Sequence, residues 1–173
     1  MGAPVHAGTY RDLPPAAVSG GHRWVAAASL GATIGVMEIK RASDLVSEAK
    51  RRIENLTVEQ LGEELEGGEV VLVDLREQNE RELHGVIPGA VHAPRGMLEF
   101  WADPAMPMYR PEFDPKRRIV LHCAAGGRSA LAADTLKQMG YGNVAHLDGG
   151  FEAWKAAGRS VAAADQSPEA AAH

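Results

Sequence analysis

Val70-Val71-Leu72-Val73-Asp74-Leu75 is an unbroken apolar, β-branched run, the pattern of a strand buried on both faces in a parallel sheet. Arg118-Ile119-Val120-Leu121-His122 and Val144-Ala145-His146-Leu147 repeat it, and Gly85-Val86-Ile87-Pro88-Gly89-Ala90-Val91 reads as a turn and short strand. Between these runs the spacing turns helical: Gln78 to Leu83 is a polar helical stretch, and Ser129 to Met139 has a helical period. Upstream, Ser43 is positioned to cap a helix whose apolar stripe is Leu45, Ala49 and Ile53, with Lys50, Arg51 and Arg52 at its cation-favouring end. A second helix starts where Thr57 and Gln60 have capping-box spacing and Leu56 and Leu61 form a staple; Gly67-Gly68 closes it. Strand and helix alternate from Val70 to Ala157. The expected fold is α/β, a mainly parallel central sheet flanked by helices on both faces.

Two stretches break the alternation. Pro94 to Pro115 carries five prolines among Met97, Leu98, Phe100, Trp101, Met106, Met108, Tyr109 and Phe113, and predicts an irregular excursion with one short helix near Gly96 to Trp101. The excursion reads as a satellite of the core or as a pocket wall. Residues 1–36 form a non-domain extension: Met1 to Trp24 lacks periodicity, and Val25 to Val36 is far shorter than the ~20 residues of a spanning helix. The expectation is a natural start at Met37 or a weak targeting segment, then a domain over 37–160 and a flexible tail over 161–173.

Composition narrows the chemistry. With 173 residues the chain suits one domain with its own core. One cysteine excludes an internal disulfide and any Cys-x-x-Cys site, and fits a reducing, cytoplasmic compartment. The net charge is −5 and the basic triplets at Lys50 and Lys116 are short and flanked by acids, so nucleic-acid binding is not expected. Neither a membrane span nor metal-ligand spacing among the histidines is seen, and no metal or cofactor is expected. A monomer or homodimer fits this composition.

That cysteine carries the candidate chemistry. Cys123 lies at the carboxyl end of a predicted strand, in Cys123-Ala124-Ala125-Gly126-Gly127-Arg128-Ser129, before a helix. Gly126 and Gly127 permit a tight curl, and the backbone N–H groups from Ala124 to Ser129 then form an anion-binding nest that favours thiolate over thiol. Arg128 offers a planar fork for a sulfonate or sulfite, and Ser129 either donates to a sulfur anion or caps the helix. Asp74 and Arg76 end a neighbouring strand at the same sheet edge; they support the active loop or form a structural ion pair with Glu77. His122 points to the opposite face from Cys123, which argues for a packed histidine over a general base. Asp148 is placed to cap the last helix, and Trp154 reads as core.

Three ordered blocks resemble the single-domain rhodanese-like sulfurtransferases: Val73-Asp74-Leu75-Arg76-Glu77 with Glu82 to His92, the Cys123 to Ser129 loop, and Gly140 to Trp154. The resemblance covers roughly Leu56 to Gly158. It implies that Cys123 takes a sulfane sulfur from thiosulfate or a similar small-molecule donor as a persulfide, and passes it to a thiol, cyanide or protein acceptor. Cell-cycle dual-specificity phosphatases share that fold, and the resemblance implies five residues between their Cys and Arg. Here only Ala124, Ala125, Gly126 and Gly127 intervene, a ring closer to the size of one sulfur atom than of a tetrahedral oxyanion. Phosphatase or arsenate reductase chemistry is thereby the lesser alternative, beside a sulfur-carrier or interaction module serving a protein partner.

Overall fold

The computed structural model describes residues 39–164. Expectations for residues 1–36, including a start at Met37, lie outside the described residues, as does the tail beyond Ala164.

Five strands form one sheet in the order β1-β5-β4-β2-β3, every neighbouring pair parallel. They are β1 (Glu54–Leu56), β2 (Val70–Asp74), β3 (Val91–His92), β4 (Arg118–His122) and β5 (Val144–Leu147). The helices are α1 (Ala42–Arg52), α2 (Val58–Gly67), α3 (Gln78–His84), α4 (Leu98–Ala102), α5 (Gly127–Gln138) and α6 (Gly150–Ala156).

Strand alternation divides the core in two. Val71, Val73, Ile119, Leu121 and Val144 face one side, under Ala49 and Ile53 of α1, Leu98 and Ala102 of α4, and the alanines and Leu136 of α5. Leu72, Val120, Ala145 and Leu147 face the other, under Val58 and Leu61 of α2 and Phe151 and Trp154 of α6. Every strand position that is apolar therefore has a helix to bury against, which explains the unbroken apolar runs. Truncating a fully buried residue such as Leu121 to Ala should cost about 2–5 kcal/mol.

Several local expectations are met for the reasons that suggested them. Gln60 N–H donates to Thr57 Oγ1 and Thr57 N–H to Gln60 Oε1, so the capping box forms, and Gly68 ends α2 with a left-handed φ of 76°. The excursion carries a short helix at α4 and contributes Leu98, Ala102 and Phe113 to the core, while Phe100 and Met108 are exposed and Ala102, Asp103, Pro104 and Pro115 line a hollow. The one Tyr141 hydroxyl hydrogen is shared between the carbonyls of Ala102 and Phe113.

Others are corrected. Helix α1 begins at Ala42 after Arg41, so Ser43 lies within the first turn and is not its cap. The stripe of α1 runs through Val46, Ala49 and Ile53; Leu45, 41% exposed, is off it by one position. Strand β1, three residues with only Leu56 buried, carries too little apolar pattern to be read beforehand. The tail is not free from Val161: Val86 and Ala162 exchange backbone hydrogen bonds as an antiparallel bridge, and Trp154 Nε1 donates to Ser160 O.

Candidate functional site

Strands β2, β4 and β5 end at one edge of the sheet, and the residues that follow them converge there. Cys123 follows β4, the central strand, and continues its alternation toward the α5 side, while His122 turns to the opposite face against Phe151. The loop is short because Gly126 adopts a left-handed φ of 89°, and α5 begins at Gly127, two residues earlier than its periodicity suggested.

Helix α6 shapes this loop from below. The first N–H groups of a helix have no partner inside it, and here Phe151 N–H donates to Cys123 O at 2.8 Å and Glu152 N–H to Ala124 O at 3.0 Å. The approach requires glycine, since a Cβ at Gly150 would stand 2.5 Å from Cys123 O. Gly149 is the residue that precedes α6 as its cap; Asp148, expected in that role, instead accepts from Gly149 N–H and pairs with Lys50. With the loop carbonyls drawn to α6, no backbone carbonyl among the described residues takes the N–H of Ala124, Ala125 or Gly126. Those amides can meet a sulfur anion.

The Cys123 side chain is 2% exposed, and its Sγ lies 3.7 Å from Ser129 Oγ. Ser129, fully buried, also reaches Gly126 O at 3.1 Å and His146 Nδ1 at 3.1 Å. The His146 ring is held from behind, Nε2 being 2.9 Å from Asn55 Oδ1. Burial, reinforced by the Lys50 ammonium, pushes His146 down to about 4, so it is neutral near pH 7. The sequence offered no sign of this chain of contacts, because Asn55, Ser129 and His146 come from three separate elements.

Arg128 is not an idle cation. Its two terminal nitrogens each donate to a Glu80 carboxylate oxygen at 2.7 Å, and this pulls the Glu80 carboxyl down to about 2. Glu80 also accepts from Glu77 N–H at the start of α3. Glu80 was missed in the sequence; its three-residue spacing from Glu77, the capping-box spacing, was the available signal.

Asp74 and Arg76 lie beneath the loop as a buried ion pair. Arg76 Nε donates to Asp74 Oδ1 at 2.9 Å and Nη2 to Oδ2 at 2.6 Å, Nη2 also reaches Gly85 O, and the guanidinium covers the Phe151 ring at 3.9 Å. Burial opposes ionisation of Asp74, yet the Arg76 hydrogen bonds and surrounding positive groups outweigh it and hold the carboxyl below its ordinary value. Arg81 and His122 stand 3.5 and 3.7 Å from Asp74 Oδ2, and burial pushes His122 down to about 4. The arrangement is that of a structural network under the loop.

A cavity of about 240 Å³ opens beside Ala124, lined among others by Arg76, Glu80, Phe151, Glu152 and Lys155. Arg95 and Arg110 are engaged elsewhere, with Glu99 and with the Trp101 ring. A larger hollow of about 440 Å³ lies at the far end of α5 beside Met139, Gly140 and Tyr141, away from the cysteine.

Fold and site together define an α/β protein that presents one buried cysteine in a tight loop at the carboxyl edge of a parallel sheet. The model of the rhodanese-like domain matches residues 57–157, and the chain belongs to that family. A sulfurtransferase of Allochromatium vinosum is 35% identical over 95 residues, 55% of this chain and 80% of its own length. YrkF of Bacillus subtilis, provisionally named a sulfur carrier protein, is 28% identical over 148 residues, 85% of this chain and 75% of its own. Among solved structures, a Rhodopseudomonas palustris protein of unknown function, described as a possible tyrosine phosphatase, is 41% identical with a TM-score of 0.68. It aligns over 77% of this chain and 99% of its own. Among the described residues no helix is long and apolar enough to cross a membrane.

Proposed function

We propose that the chain is a sulfurtransferase in which Cys123 accepts a sulfane sulfur from thiosulfate or a similar donor and passes it to a thiophilic acceptor. In the first step the Cys123 thiolate attacks the outer sulfur of thiosulfate, the S–S bond breaks with its electron pair leaving on sulfite, and a Cys123 persulfide remains. In the second an acceptor thiolate or cyanide attacks the terminal sulfur, and the Cys123 thiolate returns. Double displacement of this kind predicts ping-pong kinetics. The observation that carries the reading is the six-residue loop from Cys123 to Arg128, in which no backbone carbonyl among the described residues takes the amides of Ala124, Ala125 and Gly126, leaving them for a sulfur anion. With one cysteine in the chain, bound sulfur must leave to another molecule. The relatives named for sulfur transfer and sulfur carriage support the same chemistry.

Incubation with thiosulfate followed by intact-mass measurement should add one sulfur to the wild-type chain and none to Cys123→Ser. If neither thiosulfate, mercaptopyruvate nor a low-molecular-weight persulfide loads Cys123, the enzymatic reading is wrong.

The second reading, phosphatase chemistry, is carried by the description of the Rhodopseudomonas palustris relative. It predicts hydrolysis of p-nitrophenyl phosphate dependent on Cys123. The four-residue spacing between Cys123 and Arg128 favours sulfur transfer instead.

A further inference from the structure

Ser129 has one hydroxyl hydrogen and three neighbours that would accept it: Gly126 O at 3.1 Å, His146 Nδ1 at 3.1 Å and, when anionic, Cys123 Sγ at 3.7 Å. The surrounding hydrogen bonds decide among them. Asn55 Nδ2 donates to the carbonyls of Lys50 and Ile53, which turns Asn55 Oδ1 toward His146. Oδ1 can only accept, so His146 Nε2 carries the hydrogen there and Nδ1 of the neutral ring is an obligate acceptor. Gly126 O already receives Ala130 N–H. His146 has no exposed surface, and an unmet Nδ1 would carry the cost of a buried, unsatisfied polar atom.

We propose that His146 is a positioning residue for Cys123, acting through Ser129: by claiming the Ser129 hydrogen it leaves the serine oxygen facing the sulfur as an acceptor, which favours the thiol. The thiol S–H then donates to Ser129 Oγ, and an anionic sulfur at this position meets a lone pair where a donor would otherwise stand. A sulfur anion, thiolate or persulfide, is left to the loop amides of Ala124 to Gly126 and to the neighbouring Arg128 guanidinium, the cation that faces Cys123. The consequence for sulfur transfer is a nucleophile held in reserve and a terminal sulfur with no serine hydrogen bond to retain it. The neutral state of His146 near pH 7 agrees with this role; the charged groups acting on the ring are Lys50, which opposes its protonation, and Asp148, which favours it. They pair with one another at 2.5 Å.

The inference rests on Cys123 being the nucleophile, but its test is independent of sulfur loading. The rate of Cys123 alkylation by iodoacetamide, a neutral probe, is followed from pH 5 to pH 10. In His146→Leu the Ser129 hydrogen is freed to turn to an anionic sulfur, with Gly126 O as its remaining competitor, and the profile should move to lower pH by up to about one unit, at most roughly a tenfold faster reaction on its rising limb. In the Ser129→Ala background the same His146→Leu change should move nothing. A profile that stays in place or moves to higher pH in His146→Leu overturns the proposal, as does an equal shift without Ser129. The wild-type chain gives a second reading that needs no variant: the ¹⁵N shifts of His146 at pH 7 should show Nδ1 unprotonated and Nε2 protonated. A hydrogen on Nδ1 would overturn the proposal. Failure of thiosulfate to load Cys123 would count against the proposed reaction while leaving both of these results intact.

Discussion

Arg128 meets Glu80 across the gap between α5 and α3 as a two-point fork, each guanidinium nitrogen 2.7 Å from a different carboxylate oxygen. The only cation of the cysteine loop is therefore partly neutralised by a residue 48 positions earlier in the chain. A dianionic donor such as thiosulfate meets that carboxylate as well as the arginine.

Two opposite outcomes follow from this pair. Glu80→Gln keeps an oxygen for Glu77 N–H but removes the charge, and should raise kcat/KM for thiosulfate several-fold, about 3- to 10-fold. Arg128→Ala should lower it by about tenfold or more. Both side chains are partly exposed, at 36% and 27%, so the thermal midpoint should move only a few degrees in either variant. Donor kinetics unchanged by both substitutions would show that the pair only joins two helices.

Asp74→Asn should act on stability first. Arg76 is 1% exposed, and its Nη1 has no hydrogen-bond partner among the described residues even with Asp74 in place. Weakening the carboxylate leaves a buried guanidinium under-compensated, at a cost of about 3–5 kcal/mol. Urea denaturation checks this, and a loss below ~1 kcal/mol would mean that the network is dispensable to the fold.

Acid should destabilise the domain in a definite window. His122 and His146 are held at about 4 in the folded chain against an ordinary 6.5, so between those values the unfolded chain binds about two more protons than the folded one. Stability is fully present above pH 6.5 and falls as the pH drops toward 4. Asp74 and Glu80, both held low by arginines, extend the loss to still lower pH. Thermal midpoints measured between pH 8 and pH 4.5 should decline below 6.5; a flat series would contradict the neutral, buried state of these rings.

Gly150→Ala tests how α6 holds the loop. The added methyl would meet Cys123 O at 2.5 Å and Ala124 O at 2.6 Å, at a backbone φ of 60° that L-residues rarely adopt. Since backbone atoms cannot swing aside as a side chain can, the loop must shift. Thiosulfate loading should fall at least tenfold at temperatures where circular dichroism still shows the folded sheet. Undiminished loading would mean that the loop tolerates displacement.

Much of the fold was legible because its signals are local. β4 and β5 begin and end where their apolar runs do, and the Thr57 capping box is a contact between residues three apart. The loop was legible for the same reason: Cys123, the glycines and Arg128 lie within six consecutive residues. Where the reading slipped, a tertiary contact had overruled a local preference. Helix α1 buries Val46 where Leu45 was expected, since the stripe is chosen by packing on the sheet. Asp148 faces Lys50 of α1 and leaves the start of α6 to Gly149, whose backbone makes the turn.

By itself the sequence determined the α/β alternation, the parallel sheet, the family blocks and the reactive loop, because periodicity, turn chemistry and short spacing are properties of neighbouring residues. Only the tertiary structure decided what surrounds the sulfur. Glu80 reaches Arg128, Asn55 orients His146, and α6 takes the loop carbonyls because the parallel strands bring their carboxyl ends to one edge. Those partners lie tens of residues apart in the chain, and hydrogen bonds leave no periodic trace along a sequence.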